Sequence, residues 1–307
     1  MPKKSHKEYQ EMSIHQKSTT FNVIKREIMR DKIALGSFIF IVAVIMIIII
    51  AAFIVDIDRE SLQRSYGFLY PERLNRAPSR HHLLGTDTRG RDGVMLLVAA
   101  ARNSLIVTAL ATLISSAFGI IYGLVSGYAG GRVDRYMMGV IDGISVVPNL
   151  IILITLLGLL GGFSMFTYTV MLSLLAWTGV AKMIRTRLIQ EKEFEYIEAS
   201  KTLGTSNIKI IFYHLLPNLS TIIIASMTLN AVAIIGMETG LSFLNFGFPT
   251  DMPSLGTLVA TAGDMRILRF RWWIWMPATV LIVLIMFSIN CIGNTLSRAA
   301  DARQRRG

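Results

Sequence analysis

The chain has 307 residues, of which 52% are apolar and only 17% are charged, whereas soluble proteins average about 25% charged residues. The mean hydropathy of +0.52 excludes an ordinary water-soluble enzyme, and the abundance of apolar surface excludes an intrinsically disordered chain. In a membrane protein, a net charge of +11 indicates basic cytoplasmic loops that are attracted to anionic lipid. We therefore expect no nucleic-acid partner.

Six stretches of the chain are long and apolar enough to cross a bilayer, which requires about 20 residues each. Residues 1–32 precede the first stretch, and their mixed charge predicts a cytoplasmic segment and not a signal peptide. The predicted spans are residues 33–55, about 105–127, two spans within 143–181, 215–237 and 272–297. The sequence therefore predicts an all-α polytopic membrane protein with six transmembrane helices.

Glycine and proline give the finer structure of these spans. The uncharged run 143–181 is too long for one helix, and a glycine cluster, Gly158, Gly161 and Gly162, marks the turn that divides it. Pro148 lacks a backbone N–H and is expected to kink span three. Span two carries small residues at intervals of four, which predict close helix packing and not a ligand site. They are Ala111, Ser115, Gly119, Gly123, Gly127 and Gly131.

The distribution of lysine and arginine predicts the orientation of the chain. If both termini are cytoplasmic, the internal segments carry twenty basic residues and the external segments ten, as the positive-inside rule requires. Residues 56–102 are then extracytoplasmic, and residues 298–307 form a cytoplasmic basic tail. The seven arginines within residues 56–92 are the exception to this rule.

The glycine-rich stretch Gly85–Gly90 matches the first part of a phosphate-binding loop. It continues with Arg91 and Asp92, where nucleotide binding requires Lys and Ser or Thr. We therefore expect no nucleotide site in this chain.

Residues that could carry other chemistry are few. His81 and His82 could bind a metal, although a solvated pair in a loop is the preferred interpretation. No span contains a Ser–His pair or an H-E-x-x-H motif, so no catalytic residues and no metal ligands are predicted. Cys291 is the single cysteine, which excludes a disulfide framework. Glu238 lies near the outer end of span five, where it is either a functional group or a structural anchor.

The loop between spans four and five, residues 182–215, is amphipathic and predicts two short helices. In the first, Phe194–Leu203, one face is expected to hold Tyr196, Ala199 and Leu203. Gly204 should end this helix. In the second helix, one face is expected to hold Ile208, Ile211, Phe212 and Leu215. The pair either lies on lipid or forms a rigid elbow that docks into a groove on a soluble partner. Pro217 would open span five.

Five separated motifs together resemble the C-type permease subunit of bacterial ABC importers for dipeptides, oligopeptides and nickel. The resemblance covers about residues 20–300, and it departs from the family pattern at Ser200, Asn294 and Ala302. The motifs are His82–Asp87, Gly90–Asp92, Tyr196–Gly204 with the "EAA" signature at Glu198–Ser200, His214–Asn218, and Leu241–Leu244 with Pro253–Thr257.

The resemblance implies a type I ABC importer permease fold with a cytoplasmic coupling helix, a permease domain at residues 103–297 and a coupling loop at 182–215. It implies a second, B-type permease, two ATP-binding subunits that hold ATP and Mg, and an extracytoplasmic substrate-binding lipoprotein or periplasmic protein. No cofactor is expected in this chain. Glu198 would fix the elbow by hydrogen bonds, and Gly204 would allow its sharp turn. The implied ATPase contacts are Glu198, Ala199, Ser200, Leu203, Gly204 and Pro217.

The implied function is ATP-driven peptide import across the cytoplasmic membrane. The alternatives are a nickel or other small-solute importer of the same family and an ATP-independent secondary carrier. A secondary carrier typically has inverted repeats and intramembrane charges. The sequence shows no internal repeat and few such charges.

Overall fold

The computed structural model describes residues 26–54, 74–159, 164–249 and 251–304, and within these ranges the regular elements are helices. The helices in chain order are α1 (Lys32–Ile54), α2 (Gly93–Ala129), α3 (Gly131–Ser145), α4 (Asn149–Leu159), α5 (Met165–Glu191), α6 (Glu195–Thr202), α7 (Asn207–Lys209), α8 (Leu216–Asn218), α9 (Ser220–Phe243), α10 (Leu255–Ala260), α11 (Met265–Phe270) and α12 (Trp272–Gln304). A π-helical turn (Ile210–Leu215) joins α7 to α8, and a 3₁₀ turn (Thr261–Gly263) follows α10.

Helices α1, α2, α5, α9 and α12 are long and apolar enough to cross a membrane, and α3 with α4 forms a sixth candidate span. The α3–α4 pair is bent by 75° at the break that contains Pro148, which confirms the predicted kink. Helix α4 ends at Leu159 and α5 begins at Met165, so the break between the two helices falls at the predicted glycine cluster. Gly161 and Gly162 themselves lie outside the described residues. The prediction of an all-α protein with six spans is confirmed.

The helix boundaries differ from the predicted spans at several ends. Helix α2 begins at Gly93, well before the predicted span, because the Asp92 carboxylate caps it by accepting hydrogen bonds from the N–H groups of Val94 (2.9 Å) and Met95 (3.1 Å). Helix α9 runs to Phe243, farther than expected. Helix α12 continues to Gln304 and takes up most of the predicted basic tail. Charge-free runs therefore locate a span but not the polar turns that prolong its helix.

Helices α2 and α5 form the most extensive helix contact among the described elements. The small-residue stripe of α2 lies in this contact: a Cβ atom on Gly119 would lie 2.7 Å from the Trp177 carbonyl oxygen, and one on Gly123 would lie 2.6 Å from that of Ala181. Both distances are too short for carbon and oxygen. Gly119 and Gly123 therefore allow the two backbones to approach closely, which confirms the packing role predicted for them. Gly131, the last residue of the predicted stripe, lies outside α2 at the start of α3, where a Cβ would meet no atom within 4 Å.

Helix α3 is held against α5 by two ion pairs. The Arg185 guanidinium donates two hydrogen bonds of 2.5 Å to the Asp134 carboxylate, which also accepts one from the Ser126 hydroxyl (2.6 Å). Lys182 pairs with Asp142 at 2.9 Å. These contacts join α2, α3 and α5 at the end of the bundle where α5 finishes.

The described parts of both termini lie at this same end of the bundle. Arg298, near the end of α12, donates a hydrogen bond to Asp31, which precedes α1. Asp301 accepts a hydrogen bond of 3.3 Å from the Thr221 hydroxyl at the start of α9. The loop that follows α5 is also here, because Lys192 donates to the Gly127 carbonyl oxygen.

The Asp31–Arg298 pair makes stability weakly dependent on pH. The hydrogen bond from Arg298 lowers the pKa of the Asp31 carboxyl below its ordinary 3.8. The contribution is therefore complete above pH 3.8 and is lost only as the pH falls through the lowered pKa. We expect the difference in Tm between the wild type and Asp31→Asn to be small. It should stay constant between about pH 7 and about pH 5 and shrink below about pH 4. A difference that grows on acidification would contradict this assignment.

Candidate coupling surface

The segment between α5 and α9 is anchored by a buried apolar cluster. Five side chains with 0% exposure form it, and each stabilises the fold by about 1.5–3 kcal/mol when buried. They are Leu188, Ile197, Ile210, Leu215 and Leu219. The cluster packs the segment against Leu188 at the end of α5 and Leu219 directly before α9, so it joins the segment to both spans.

Contacts with the end of α2 hold the segment from another side. The Tyr128 hydroxyl donates a hydrogen bond of 2.7 Å to the Asn207 side-chain oxygen. The Lys192 ammonium donates to the Gly127 carbonyl oxygen at 2.8 Å, and the Lys201 ammonium lies 5.6 Å from the centre of the Tyr128 ring. Three spans are thus joined to this one segment, which we call the elbow (residues 192–218).

Tyr196 connects the two halves of the elbow. Its hydroxyl oxygen accepts a hydrogen bond of 2.7 Å from the Asn218 amide, and its ring packs edge-on against His214 at 6.5 Å. Partial burial raises the pKa of the Tyr196 hydroxyl. The phenol is therefore neutral at physiological pH and available as a hydrogen-bond partner. The polar and aromatic contacts of Tyr196 stiffen the elbow across its turn.

Gly204 makes the turn between α6 and α7. Its φ of +81° lies in the left-handed region, which side chains other than glycine rarely adopt. The Gly204 N–H donates to the Lys201 carbonyl oxygen (2.9 Å) and the Thr205 N–H to that of Ser200 (3.1 Å), which is the double hydrogen bond of a Schellman motif. This geometry confirms the helix stop that the sequence predicted.

The outer side of the elbow exposes large apolar side chains, which we call the apolar patch. Their exposed fractions are Phe194 50%, Leu203 85%, Ile208 70%, Phe212 60% and Tyr213 76%. Exposed apolar side chains of this kind are typical of a surface that contacts a protein partner or the membrane. The predicted contact residues Ala199, Gly204 and Pro217 are also exposed, and Ser200 is half-buried.

The structure agrees with the face predicted for the first short helix and corrects the face predicted for the second. Tyr196, Ala199 and Leu203 are all exposed, as residues of one outward face would be, while Ile197 is buried. The face predicted for the second helix is wrong, because Ile208 and Phe212 are exposed while Leu215 is buried. The cause is the π-helical turn at Ile210–Leu215. An i→i+5 hydrogen-bond pattern breaks the 3.6-residue period on which the prediction rested.

Glu198 occupies the exposed side of α6. The sequence led us to expect that its carboxylate fixes the elbow by hydrogen bonds. Across the described ranges, its carboxylate accepts no such bond from another residue. The tyrosine, lysine and apolar contacts described above hold the elbow instead, and Glu198 is left on the surface.

Glu238 is buried, with 1% exposure, in a polar cluster near the other end of the bundle. Its carboxylate accepts hydrogen bonds from the hydroxyls of Ser242 (3.1 Å) and Ser104 (3.4 Å). Ser104 accepts another from the Leu255 N–H (3.0 Å), and the neighbouring Asn103 donates to a backbone carbonyl of the same loop. These contacts bind α2, α9 and the start of α10 together, which favours the structural anchor among the two roles considered.

The glycine-rich loop before α2 folds around the carboxylate of its own Asp87 and does not enclose a site for a bound anion. The Asp87 carboxylate accepts hydrogen bonds from the N–H groups of Arg89 (2.9 Å) and Arg91 (2.8 Å) and from the Arg91 Nε (2.7 Å). His82 Nδ1 lies 2.8 Å from the Asp92 carboxylate. In the described ranges, no three His, Cys, Asp or Glu side chains are grouped to hold a metal.

An open groove of about 390 Å³ lies between α4, α5 and α9. It holds small side chains, methionines and uncharged polar groups, and none of its lining residues is ionisable. The lining residues are Asn149, Leu175, Ala176, Thr178, Gly179, Val180, Met183, Ser226, Leu229, Asn230, Ala233 and Met237.

Comparison with known proteins shows which family has this architecture. Residues 119–306 match the family described as the binding-protein-dependent transport system inner membrane component. The chain belongs to this family. It is 40% identical to the oligopeptide transport system permease protein OppC of Lactococcus lactis subsp. cremoris (strain SK11) over 92% of this chain and 94% of the relative. It is 36% identical to the dipeptide transport system permease protein DppC of Bacillus subtilis (strain 168) over 92% and 85%.

The fold also matches a solved transporter. An inward-facing structure of the MetNI methionine ABC transporter superposes with a TM-score of 0.59 and 19% identity, covering 67% of this chain and 97% of that one. Together with the relatives, this confirms the ABC importer permease fold that the sequence motifs implied. The chain is a multi-pass membrane permease of the peptide transport family and not an enzyme.

Proposed function

We propose that this chain is the permease subunit of an ATP-driven importer that carries dipeptides or oligopeptides across the cytoplasmic membrane together with a second permease. The names of the relatives, which are oligopeptide and dipeptide permeases, support the substrate class. The observation that carries the ATP-driven part of the proposal is the apolar patch on a rigid elbow.

The elbow transmits motion because it is a stiff body joined to three spans. An ATP-binding subunit seated on the apolar patch pushes the elbow when the ATPase dimer closes. The buried cluster of the elbow then moves the ends of α5 and α9, and the contacts of Tyr128 and Lys192 move the end of α2. Packed helices shift as rigid bodies, so this displacement alternates access between the two sides. ATP and Mg are held by the partner subunits.

The elbow and both termini are proposed to be cytoplasmic. The lysine and arginine count supports this orientation. The structure groups Asp31, Arg298, the start of α9 and the elbow at one end of the bundle, as a chain with an even number of crossings requires. The polar cluster of Glu238 and the loop around Asp87 are then extracytoplasmic.

The groove between α4, α5 and α9 is proposed to form this chain's share of the peptide path. Its lining carries no charge, so it does not select a substrate by the charge of its side chains. Methionine side chains adapt to different shapes. Such a wall suits peptides of varied sequence better than a nickel ion, which prefers imidazole and other nitrogen or oxygen ligands.

Leu203→Asp tests whether the apolar patch binds the ATP-binding subunits. A charge at a side chain with 85% exposure should leave the fold intact but penalise burial in a partner. We expect co-purification of the ATP-binding subunits to fall at least about tenfold. The matched control is Leu83→Asp, since Leu83 is 72% exposed at the opposite end of the bundle and should retain the subunits. Equal retention by both variants would contradict the proposal.

Uptake of a radiolabelled peptide into a strain lacking this subunit, with and without the restored gene, tests the substrate class. We expect competition by unlabelled peptides, with a dependence on their length, and none by nickel. Competition by nickel and not by peptides would assign the chain to the alternative importer of the same family. Uptake that persists without the ATP-binding subunits would indicate a secondary carrier.

A further inference from the structure

Asn230 is a polar side chain in the wall of the groove between α4, α5 and α9. It lies near the middle of α9 and is only 7% exposed. A buried amide requires hydrogen-bond partners for its two N–H groups and for its carbonyl oxygen. The partners that these groups have within the chain therefore show what Asn230 can still bind.

The two N–H groups of the Asn230 amide are used within this chain. The amide nitrogen donates to the hydroxyl oxygens of Ser115 (2.8 Å) and Ser116 (3.1 Å) on α2. The Ser115 hydroxyl donates its own proton to the Ala111 carbonyl oxygen (2.6 Å). Because a hydroxyl has a single proton, Ser115 can only accept from Asn230. This contact fixes the orientation of the amide.

The carbonyl oxygen of the same amide faces the groove. Among the described residues that line the groove, none belongs to α2, so the groove receives the side of the amide that is turned away from α2. Within the described ranges, no group of this chain donates a hydrogen bond to this oxygen, and the oxygen is not enclosed. A fixed acceptor in this position requires a donor from a bound molecule.

The hydroxyls of the groove are already used as donors. Thr178 donates to the Leu175 carbonyl oxygen (3.1 Å), and Ser226 donates to that of Ile223 (2.9 Å), each within its own helix. Asn149, at the start of α4, supplies the second amide of the lining, and none of the lining residues is ionisable. The groove is therefore suited to an uncharged ligand with an N–H group to donate.

We propose that the Asn230 carbonyl oxygen accepts a hydrogen bond from a backbone N–H of the peptide in transit, so that the groove binds the peptide whatever its side chains are. The inference rests on the proposed function and adds a specific contact to it. An extended peptide carries a free N–H at nearly every residue. A helix of the second permease fits the oxygen less well, because its backbone N–H groups are bonded within the helix.

The test compares peptides with analogues that lack one backbone N–H. The probes are radiolabelled alanine peptides of graded length, and in each analogue an ester oxygen replaces one amide nitrogen. Uptake is measured in proteoliposomes that hold the whole transporter, with the receptor saturated by each probe. A neutral hydrogen bond changes a rate by about fivefold. We expect the wild type to import at least one ester about fivefold more slowly than its parent peptide.

Asn230→Ala should slow the uptake of the parent peptide by a similar factor and should no longer distinguish it from that ester. Asn294→Ala is the matched control, since it makes the same substitution at an exposed position of α12 outside the groove. It should keep both the uptake of the wild type and the difference between peptide and ester. Thermal unfolding checks that each variant is folded, and the wild-type ester series serves if Asn230→Ala is unstable.

Equal uptake of the peptides and all of their esters by the wild type would overturn the proposal. If Asn230→Ala also lost the second permease during purification, that result would assign the groove to the interface between permeases. Slower uptake of every probe by Asn230→Ala, with the difference between peptide and ester retained, would show a structural role and would overturn the proposal as well. Failure of the wild type to import any peptide would refute the proposed function itself, which is a separate result.

Discussion

Replacing Gly204 by valine is expected to abolish peptide uptake while the transporter still inserts in the membrane and its ATP-binding subunits still hydrolyse ATP. The Gly204 backbone has a φ of +81°, which costs an ordinary residue about 1–2 kcal/mol and a β-branched residue more. A Cβ at this position would meet no atom within 4 Å, so the penalty is conformational and not steric. The turn would open, and the elbow would no longer move as one body. Uptake and ATPase activity of the reconstituted complex measure this uncoupling.

Asparagine provides the matched control for this substitution. It tolerates the left-handed region better than other residues with a side chain, and the open space around Gly204 can hold its amide. Gly204→Asn should therefore keep most of the uptake that Gly204→Val loses. Normal transport by the valine variant would refute the coupling role of the elbow, and equal loss in both variants would indicate a requirement for glycine beyond its φ.

Replacing Gly123 by leucine is expected to destabilise the whole bundle. A Cβ here would lie 2.6 Å from the Ala181 carbonyl oxygen and 2.9 Å from the Ile184 Cβ, so α2 and α5 would have to separate. Forcing extra atoms into such a contact costs about 3 kcal/mol or more. For a chain of this size, that corresponds to a fall in Tm of about 5 °C or more. Thermal unfolding of the purified complex, followed by tryptophan fluorescence, measures it.

Gly236→Leu is the control for the same change in another span. Gly236 lies within α9 and is exposed, and a Cβ placed on it would have no atom within 4 Å. The leucine should find space there and leave the Tm within about 2 °C of the wild type. If both variants unfolded at the same temperature, the result would contradict the conclusion that Gly123 is needed for the close approach of α2 and α5.

Most of the membrane architecture follows from local sequence. Charge-free runs located the spans because the bilayer excludes unpaired charges whatever the neighbouring helices are. Gly119 and Gly123 indicated close packing because the spacing of four residues places them on one helix face. Pro148 and Gly204 marked a kink and a turn because each restricts or frees the backbone at its own position.

The orientation of the elbow helices could not be predicted in this way. The spacing of Ile208, Phe212 and Leu215 is typical of one α-helical face, but the π-helical turn rotates Leu215 inward and leaves the other two exposed. A π-helical turn has no simple signature in one sequence. Periodicity also cannot tell a face that packs in this chain from one that awaits a partner, since both are apolar.

Contacts between residues that are distant in the sequence could not be predicted from local patterns either. Arg185 pairs with Asp134, and Ser104 reaches Glu238, yet neither pair has a local pattern that joins its members. Only the polarity of Glu238 inside a span indicated that some partner was needed.

The position of α1 bears on how the protein is made. Of its described side chains only Ala34, Ser37 and Val44 are buried, and its contacts are chiefly with α12, the last of the described helices. During synthesis α1 leaves the ribosome before the other described helices, and its main neighbour leaves after them. The first span therefore lacks its main protein neighbour until α12 has been made, although it can already contact α2, and the Asp31–Arg298 pair can close only then. Assembly with other subunits can begin earlier, on surfaces that the middle of the chain has already completed.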